Sequence, residues 1–233
     1  MGGMKDLNVK SFIFLLVVVS VIIWIAILSV TSNELRVSWT SLKYVPTVVS
    51  IDVMLWLLFA KWGWKNQIFQ KWLVPFPCLE GTWEGTIQTT WTDSETRDTP
   101  ASIPVILVIK QSFISISCVM HSQEMISRSY TADFLISLEN NLKKITYTYT
   151  SSPRVSVRKR SVVHDGTALL EIITNPFRAL RGEYWTNRES TGEIDLRFRS
   201  KELLQGFPED LTLHAIEESW VQSYKDTKPA MKK

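Results

Sequence analysis

From Ser11 to Asn33 the chain carries no charged residue, and Phe12 to Val30 is almost continuously apolar. A helix needs about 20 such residues to cross the hydrocarbon core of a bilayer. A cleaved signal peptide would have a shorter apolar core, about 7–15 residues, with small residues at the cut. Here the run leaves through Leu28-Ser29-Val30-Thr31-Ser32, a poor cleavage site. The run therefore predicts an uncleaved transmembrane helix at about 11–32. A second apolar stretch, Tyr44 to Ala60, lies between Lys43 and Lys61. Its 17 residues are near the lower limit for a span. Pro46 suits the turn into that helix, and Trp56, Trp62, Trp64 and Trp72 with Lys61, Lys65 and Lys71 read as an interfacial anchor. The short connection at 33–43 makes residues 1–71 a hairpin, with helices at about 11–32 and 44–60.

Asp52 sits in the middle of the second stretch. An ionisable side chain inside a span is costly and usually faces a bundle interior. It reads either as a group at a wet, interfacial depth of a short helix or as a polar contact between helices. One hairpin offers few partners, so the second reading points to an oligomer contact.

The whole-chain balance of 26 Lys+Arg against 23 Asp+Glu, a net +3, hides an uneven distribution. Residues 1–71 hold seven basic and three acidic groups, a net +4, which leaves −1 for the rest. A larger part without a basic excess is not a general polyanion binder, and no DNA or RNA polymer is expected as a partner. Lys5, Lys10, Lys61, Lys65 and Lys71 flank the outer ends of the two spans, against Arg36 and Lys43 between them. That asymmetry predicts both termini, and all that follows the hairpin, on the cytoplasmic side. Cys78 and Cys118 are then expected to stay reduced.

After Pro75 and Pro77 the hydrophobic period changes to two. Gly81–Trp91, Ile103–Ile109, Phe113–Met120, Met125–Leu138, Leu142–Ser151, Thr167–Thr174, Leu180–Arg188 and Ile194–Arg199 all read as strands. Turn chemistry separates them at Asn140-Asn141, Asp165-Gly166, Asn175-Pro176 and Thr191-Gly192. Short, regularly spaced strands predict an all-β domain at 81–200, an eight-stranded up-and-down barrel. An interior of that size is filled by side chains or holds one small ligand. Gly81-x-Trp83 is similar to the opening of lipocalin-like barrels, in which the Trp plugs the base. Residues 72–80 are left as a linker and 201–233 as a C-terminal extension, with a short helix expected at Leu211–Tyr224.

No nucleophile elbow, phosphate loop, dinucleotide glycine fingerprint or HExxH sequence is present. His121, His164 and His214 are far apart, and neither cysteine has a metal-ligand spacing. No catalytic residue, metal or cofactor is expected, and the chain does not read as an enzyme. Glu84, Glu171 and Glu183 read as outward, solvated positions. Two features remain. Between Glu139 and Asp165 there is no acid, but there are Lys143, Lys144, Arg154, Arg158, Lys159, Arg160 and His164. That window is either a solvated connection or an attractor for an anionic ligand near a barrel mouth. In Gly182-Glu183-Tyr184-Trp185-Thr186-Asn187-Arg188, alternation puts Gly182, Tyr184, Thr186 and Arg188 on one face. If that face is inward, a ring, a hydroxyl and a guanidinium stand in line, with Gly182 leaving room beside them. Tyr147 and Tyr149 add two rings on another strand. Rings that stack on bases and an Arg that forks onto phosphate suit a nucleotide. If the face is outward, the arginine is solvated and the tyrosines fill the core.

Two spans followed by a barrel carrying GTWEG, YTYTSSPR, HDGTALLEI and LRGEYWTNRESTGEIDL resemble one family over almost the whole chain. It is the two-transmembrane β-barrel effector family of bacterial CBASS anti-phage defence, the CD-NTase-associated membrane effectors. The most specific piece is the pattern at Gly182, Tyr184, Thr186, Arg188 and Gly192, with His164 and Gly166 upstream. The resemblance implies a cytosolic barrel that binds a cyclic dinucleotide made by a CD-NTase on phage infection. It implies self-association on binding, disruption of the bacterial inner membrane and death of the infected cell. It implies ligand contacts at Tyr184, Thr186 and Arg188, with Tyr147, Tyr149, Arg158 and His164 as further contacts, and no catalytic role. From the residues alone, a barrel for an apolar ligand such as a fatty acid, a filled barrel that binds only proteins, and an enzyme stay open.

Overall fold

The computed structural model describes residues 9–31, 39–66, 68–69, 72–92, 99, 102–137, 140, 142–159, 161–175 and 177–211. The helix expected at Leu211–Tyr224 lies, beyond its first residue, outside the described residues, as do Arg160 and His214. The described chain forms two compact units, one of helices joined by the turn Ser112–Ser115, the other of strands.

In the helical unit, α1 (Val9–Thr31) is followed by a 3-10 turn (Trp39–Tyr44) and α2 (Val45–Lys61). Pro46 occupies the first turn of α2, where its missing N–H leaves no bond unmade. Lys10–Thr31 and Leu42–Lys61 are long and apolar enough to cross a membrane. Asp52 takes a hydrogen bond from Ser20 of α1, Oγ to Oδ2 at 2.7 Å. The hairpin thus supplies one partner of its own for this carboxylate.

Two further expectations are corrected by one aromatic cluster. Trp56, Phe59, Trp64 and Phe76 converge on Phe113, with ring centroids 5.3, 5.4, 6.3 and 6.2 Å away. Burying these rings against one another outweighs extending a strand through Phe113. Ser112–Ser115 therefore fold into a tight turn, closed by Ser112 N–H donating to the Ser115 carbonyl at 2.8 Å. Trp64 lies in the cluster at 1% exposure, not at a lipid interface; Trp62 and Trp72 stay exposed. Leu73, Val74 and Phe76 are buried as well, so the span read as a linker is packed.

The strand unit is the expected eight-stranded up-and-down barrel. Its strands are β1 (Gly81–Thr89), β2 (Ile103–Gln111), β3 (Ile116–His121), β4 (Met125–Ser137), β5 (Leu142–Pro153), β6 (His164–Ile173), β7 (Ala179–Thr186) and β8 (Thr191–Ser200). They pair antiparallel in chain order and close between β8 and β1. At the base Trp83 is buried, its Nε1–H donating to the Leu79 carbonyl at 2.9 Å. The Arg178 guanidinium covers the rings of Trp83 and Phe198, at 5.2 and 3.9 Å. Leu107, Ile109, Ile145, Leu170, Leu180 and Leu196 fill this half of the interior.

The dense run Ile103–Ile109 follows from burial on both faces. Val105, Leu107 and Ile109 point inward, while Ile106 and Val108 are covered from outside by Leu204, Phe207 and Leu211. That covering segment is pinned. Thr82 Oγ1 donates to the Glu202 carbonyl at 2.6 Å, and Arg199 bridges Glu84 and Asp210 at 2.6 Å each. Glu84 is therefore outward but paired; Glu171 and Glu183 are exposed.

Ile106→Ala should lower stability toward urea by about 2–5 kcal/mol, the usual cost of truncating a fully buried aliphatic. Tryptophan fluorescence would follow the unfolding. An unchanged midpoint would mean that the C-terminal segment does not seal this strand.

Candidate ligand-binding site

Towards the other end of the barrel the inward side chains become small. Ser127 and Ser151 sit opposite each other on β4 and β5, joined Oγ to Oγ at 2.9 Å, and Gly166 follows His164 in the inner row of β6. The interior opens there into a cavity of about 480 Å³.

Four of the expected residues meet in its wall: Tyr149, His164, Tyr184 and Arg188. Tyr149 enters from β5. A Cβ at Gly166 would stand 2.6 Å from its Oη, so the glycine makes the space for that hydroxyl. Tyr184 enters from β7 and donates its hydroxyl to Thr89 Oγ1 at 2.6 Å. His164 starts β6 with Nδ1 3.0 Å from the Val162 carbonyl, which makes Nδ1 the donor and leaves Nε2 an acceptor.

Arg188 arrives differently from what alternation predicts. β7 ends at Thr186, and the chain turns through Glu189 in the left-handed region (φ 61°). The turn is tied by Thr186, whose Oγ1 pairs with Ser190 Oγ at 2.7 Å and accepts the Arg188 backbone N–H at 3.3 Å. Thr186 thus stands behind the wall and positions the turn. The guanidinium reaches Ser161 Oγ only at 3.4 Å, and its buried Nε has no partner among the described residues.

Three other expectations fall elsewhere. Tyr147 lies deeper, its ring centroid 5.8 Å from that of Tyr149, with its hydroxyl buried and unpartnered. Arg158 is exposed on the β5–β6 connection and does not line the cavity. Gly182 leaves no room for a ligand, because a Cβ there would stand 2.0 Å from the Leu169 carbonyl of β6. The acid-free window is split as well. Lys143 and Lys144 pair with Ile136 and Leu135 at the closed end, whereas Arg154, Arg158 and Lys159 are exposed at the open one. Asp52 belongs to the helical unit. Thr89, Trp91, Ser127, Ser151 and Ser161 also line the cavity. For Thr89, Ser127 and Ser151 only cross-strand register marks them out, since short polar residues recur along these strands.

Burial raises the Tyr149 and Tyr184 hydroxyls above their ordinary range, and the Arg188 charge only partly offsets this. Both rings are neutral at pH 7. Burial also pulls down Arg188, against the two tyrosines, yet a guanidinium stays charged. His164 is held below its ordinary value by burial, aided by Arg188 and opposed by the Val162 carbonyl and Asp165. The cavity therefore offers the Arg188 guanidinium with an unmet donor, two neutral rings, several hydroxyls, an imidazole acceptor and the Glu124 side chain.

A closed barrel with a cavity open at one end has the architecture of barrels that hold a small ligand. The model of the Cap15 cyclic dinucleotide receptor domain matches residues 74–198, more than half of the chain, and the chain belongs to that family. A relative, CD-NTase-associated protein 15 of Staphylococcus schleiferi, is 25% identical over 186 residues, covering 80% of this chain and 88% of that protein. The two-helix effector family that the motifs resemble is thus the right one.

His121 is also held below its ordinary value, by burial and then by Arg128. Groups depressed below an unfolded value of about 6.5 add stability that is full above that pH and lost as pH falls through it. The unfolding temperature should therefore drop between pH 7.5 and pH 5.5. In the double variant His121→Gln/His164→Gln the drop should be clearly smaller; an equal slope would rule these two histidines out as its source.

Proposed function

We propose that the chain is a membrane-anchored effector of CBASS anti-phage defence. Residues 1–71 form its hairpin in the bacterial inner membrane, with both termini and the barrel in the cytosol. The barrel binds a cyclic dinucleotide made by a CD-NTase on infection. Bound copies self-associate, and their hairpins together disrupt the membrane and kill the host cell.

The observation that carries the ligand reading is Arg188, with a buried, unpaired Nε at the edge of a cavity walled by Tyr149 and Tyr184. A buried donor without a partner is costly, and a phosphate oxygen relieves it with a charge-assisted bond. Ring faces beside it suit stacked bases. The volume of about 480 Å³ falls within the range of small-molecule sites. The description of the family supports the same ligand class. A fatty acid's carboxylate would also pair with Arg188, but its alkyl chain would leave the tyrosine and serine hydroxyls of the wall unmet, which favours a nucleotide. The receptor reading requires no bond to be made or broken, and the chain acts as a switch, not an enzyme.

The switch is a population shift: ligand favours the assembled state only by its extra affinity for it. Ligand ordering the mouth connections would create an interface. Neighbouring hairpins would then compete with Ser20 for Asp52, drawing carboxylates and water into the bilayer.

Calorimetry on the detergent-solubilised full chain should show binding of a cyclic dinucleotide and none of palmitate. Arg188→Ala should weaken it by about tenfold to a hundredfold, as for loss of a charged hydrogen bond. Heat from palmitate alone would overturn the reading. In liposomes the ligand should release trapped dye, and Asp52→Ala should abolish release without abolishing binding. Undiminished leakage would remove Asp52 from the mechanism.

A further inference from the structure

Thr89 ends β1 at the open end of the barrel, opposite Gly192 across the β1–β8 pairing. Its hydroxyl oxygen accepts two hydrogen bonds, one from Tyr184 Oη at 2.6 Å and one from the Trp91 backbone N–H at 3.0 Å. A threonine hydroxyl has two lone pairs and one proton. Both lone pairs are engaged, so the proton is left to donate, and among the described residues nothing accepts it. Tyr184 is in the complementary state. Its proton is given to Thr89, so its oxygen is left to accept, and no donor among the described residues reaches it.

Both side chains line the cavity. Their wall therefore presents a donor and an acceptor side by side, with heavy atoms 2.6 Å apart. A phosphate, which only accepts, would meet the Thr89 proton but also the lone pairs of Tyr184. The edge of a nucleobase alternates donors and acceptors and matches both. The phosphate has a separate partner in Arg188. Trp91, held by its N–H bond to Thr89, adds an aromatic ring to the same wall.

We infer that Thr89 and Tyr184 read the edge of one base of the bound cyclic dinucleotide, and that Thr89 sets the selectivity among bases. This rests on the receptor reading proposed above. Tyr184 then acts through its hydroxyl as well as its ring. Arg188 supplies affinity common to all such ligands, because every one of them carries the same phosphates.

The test is a panel of cyclic di-GMP, cyclic di-AMP and cyclic di-UMP, titrated into the detergent-solubilised full chain. Thr89→Val keeps the shape and removes the hydroxyl. It should weaken the tightest-binding member by about tenfold or more, the worth of a bidentate base contact, and shrink its lead over the others. Thr89→Ser should restore both affinity and lead. Arg188→Ala should weaken all three by a similar factor and keep their ranking. If Thr89→Val keeps the wild-type ratios, or if Thr89→Ser fails to restore them, Thr89 does not read a base. Failure of the wild type to bind any of the three overturns the receptor reading itself, and this assignment with it. The unfolding temperature of each variant without ligand reports any purely structural loss.

Discussion

The pairing of β8 with β1 is the constraint on which the barrel depends. It runs from Thr82 against Ser200 to Thr89 against Gly192 and leaves no edge strand open. Closure makes the inward row of every strand share one interior, so a period-two pattern becomes a common core. It also fixes where the rows end. Thr89 stands at the upper end of this seam, and β8 alone separates it from β7, which carries Tyr184. The bond between their hydroxyls exists because the seam is shut.

Within that closed shell the distribution of volume decides what is core and what is cavity. Near the base the inner rows hold Trp83, Leu107, Ile145, Leu170 and Leu196, and nothing larger than a side chain fits. Near the mouth they hold Ser127, Ser151 and Gly166, and space is left. One barrel of eight strands thus has a plugged half and a binding half. The outside of β2 is sealed by Leu204, Phe207 and Leu211, which keep its apolar row out of water. Stability resides in the plugged half and in this outer seal, so the mouth is free to carry unmet hydrogen-bonding capacity.

That capacity is small and placed. The domain beyond residue 71 has no basic excess, so no diffuse field draws polyanions to it. The cavity instead has one guanidinium with an unpaired Nε, flanked by two tyrosines that burial keeps neutral. A receptor for a signalling nucleotide must ignore abundant nucleic acid, and an enclosed single cation meets that need better than a basic surface does. In the helical unit the Ser20–Asp52 bond is the counterpart, a carboxylate paired across the two helices.

The sequence by itself determined the two apolar helices and the eight strands in order, and motif resemblance offered the plug at Trp83 and, among its expected contacts, Tyr149, His164, Tyr184 and Arg188. These follow from local periodicity, from length against bilayer thickness and from motif resemblance, none of which needs a partner to be known. Tertiary structure alone decided the rest. Phe113 left its strand because rings distant in sequence could bury it. Gly182 lost its vacancy to the backbone of β6, and Arg158 stayed outside, because strand crowding and loop paths depend on neighbours across the sheet. Thr89 looked like any strand threonine until register set it against Tyr184 and Trp91. A hydroxyl's direction is decided by what already occupies its lone pairs, and only the folded chain brings those groups within reach.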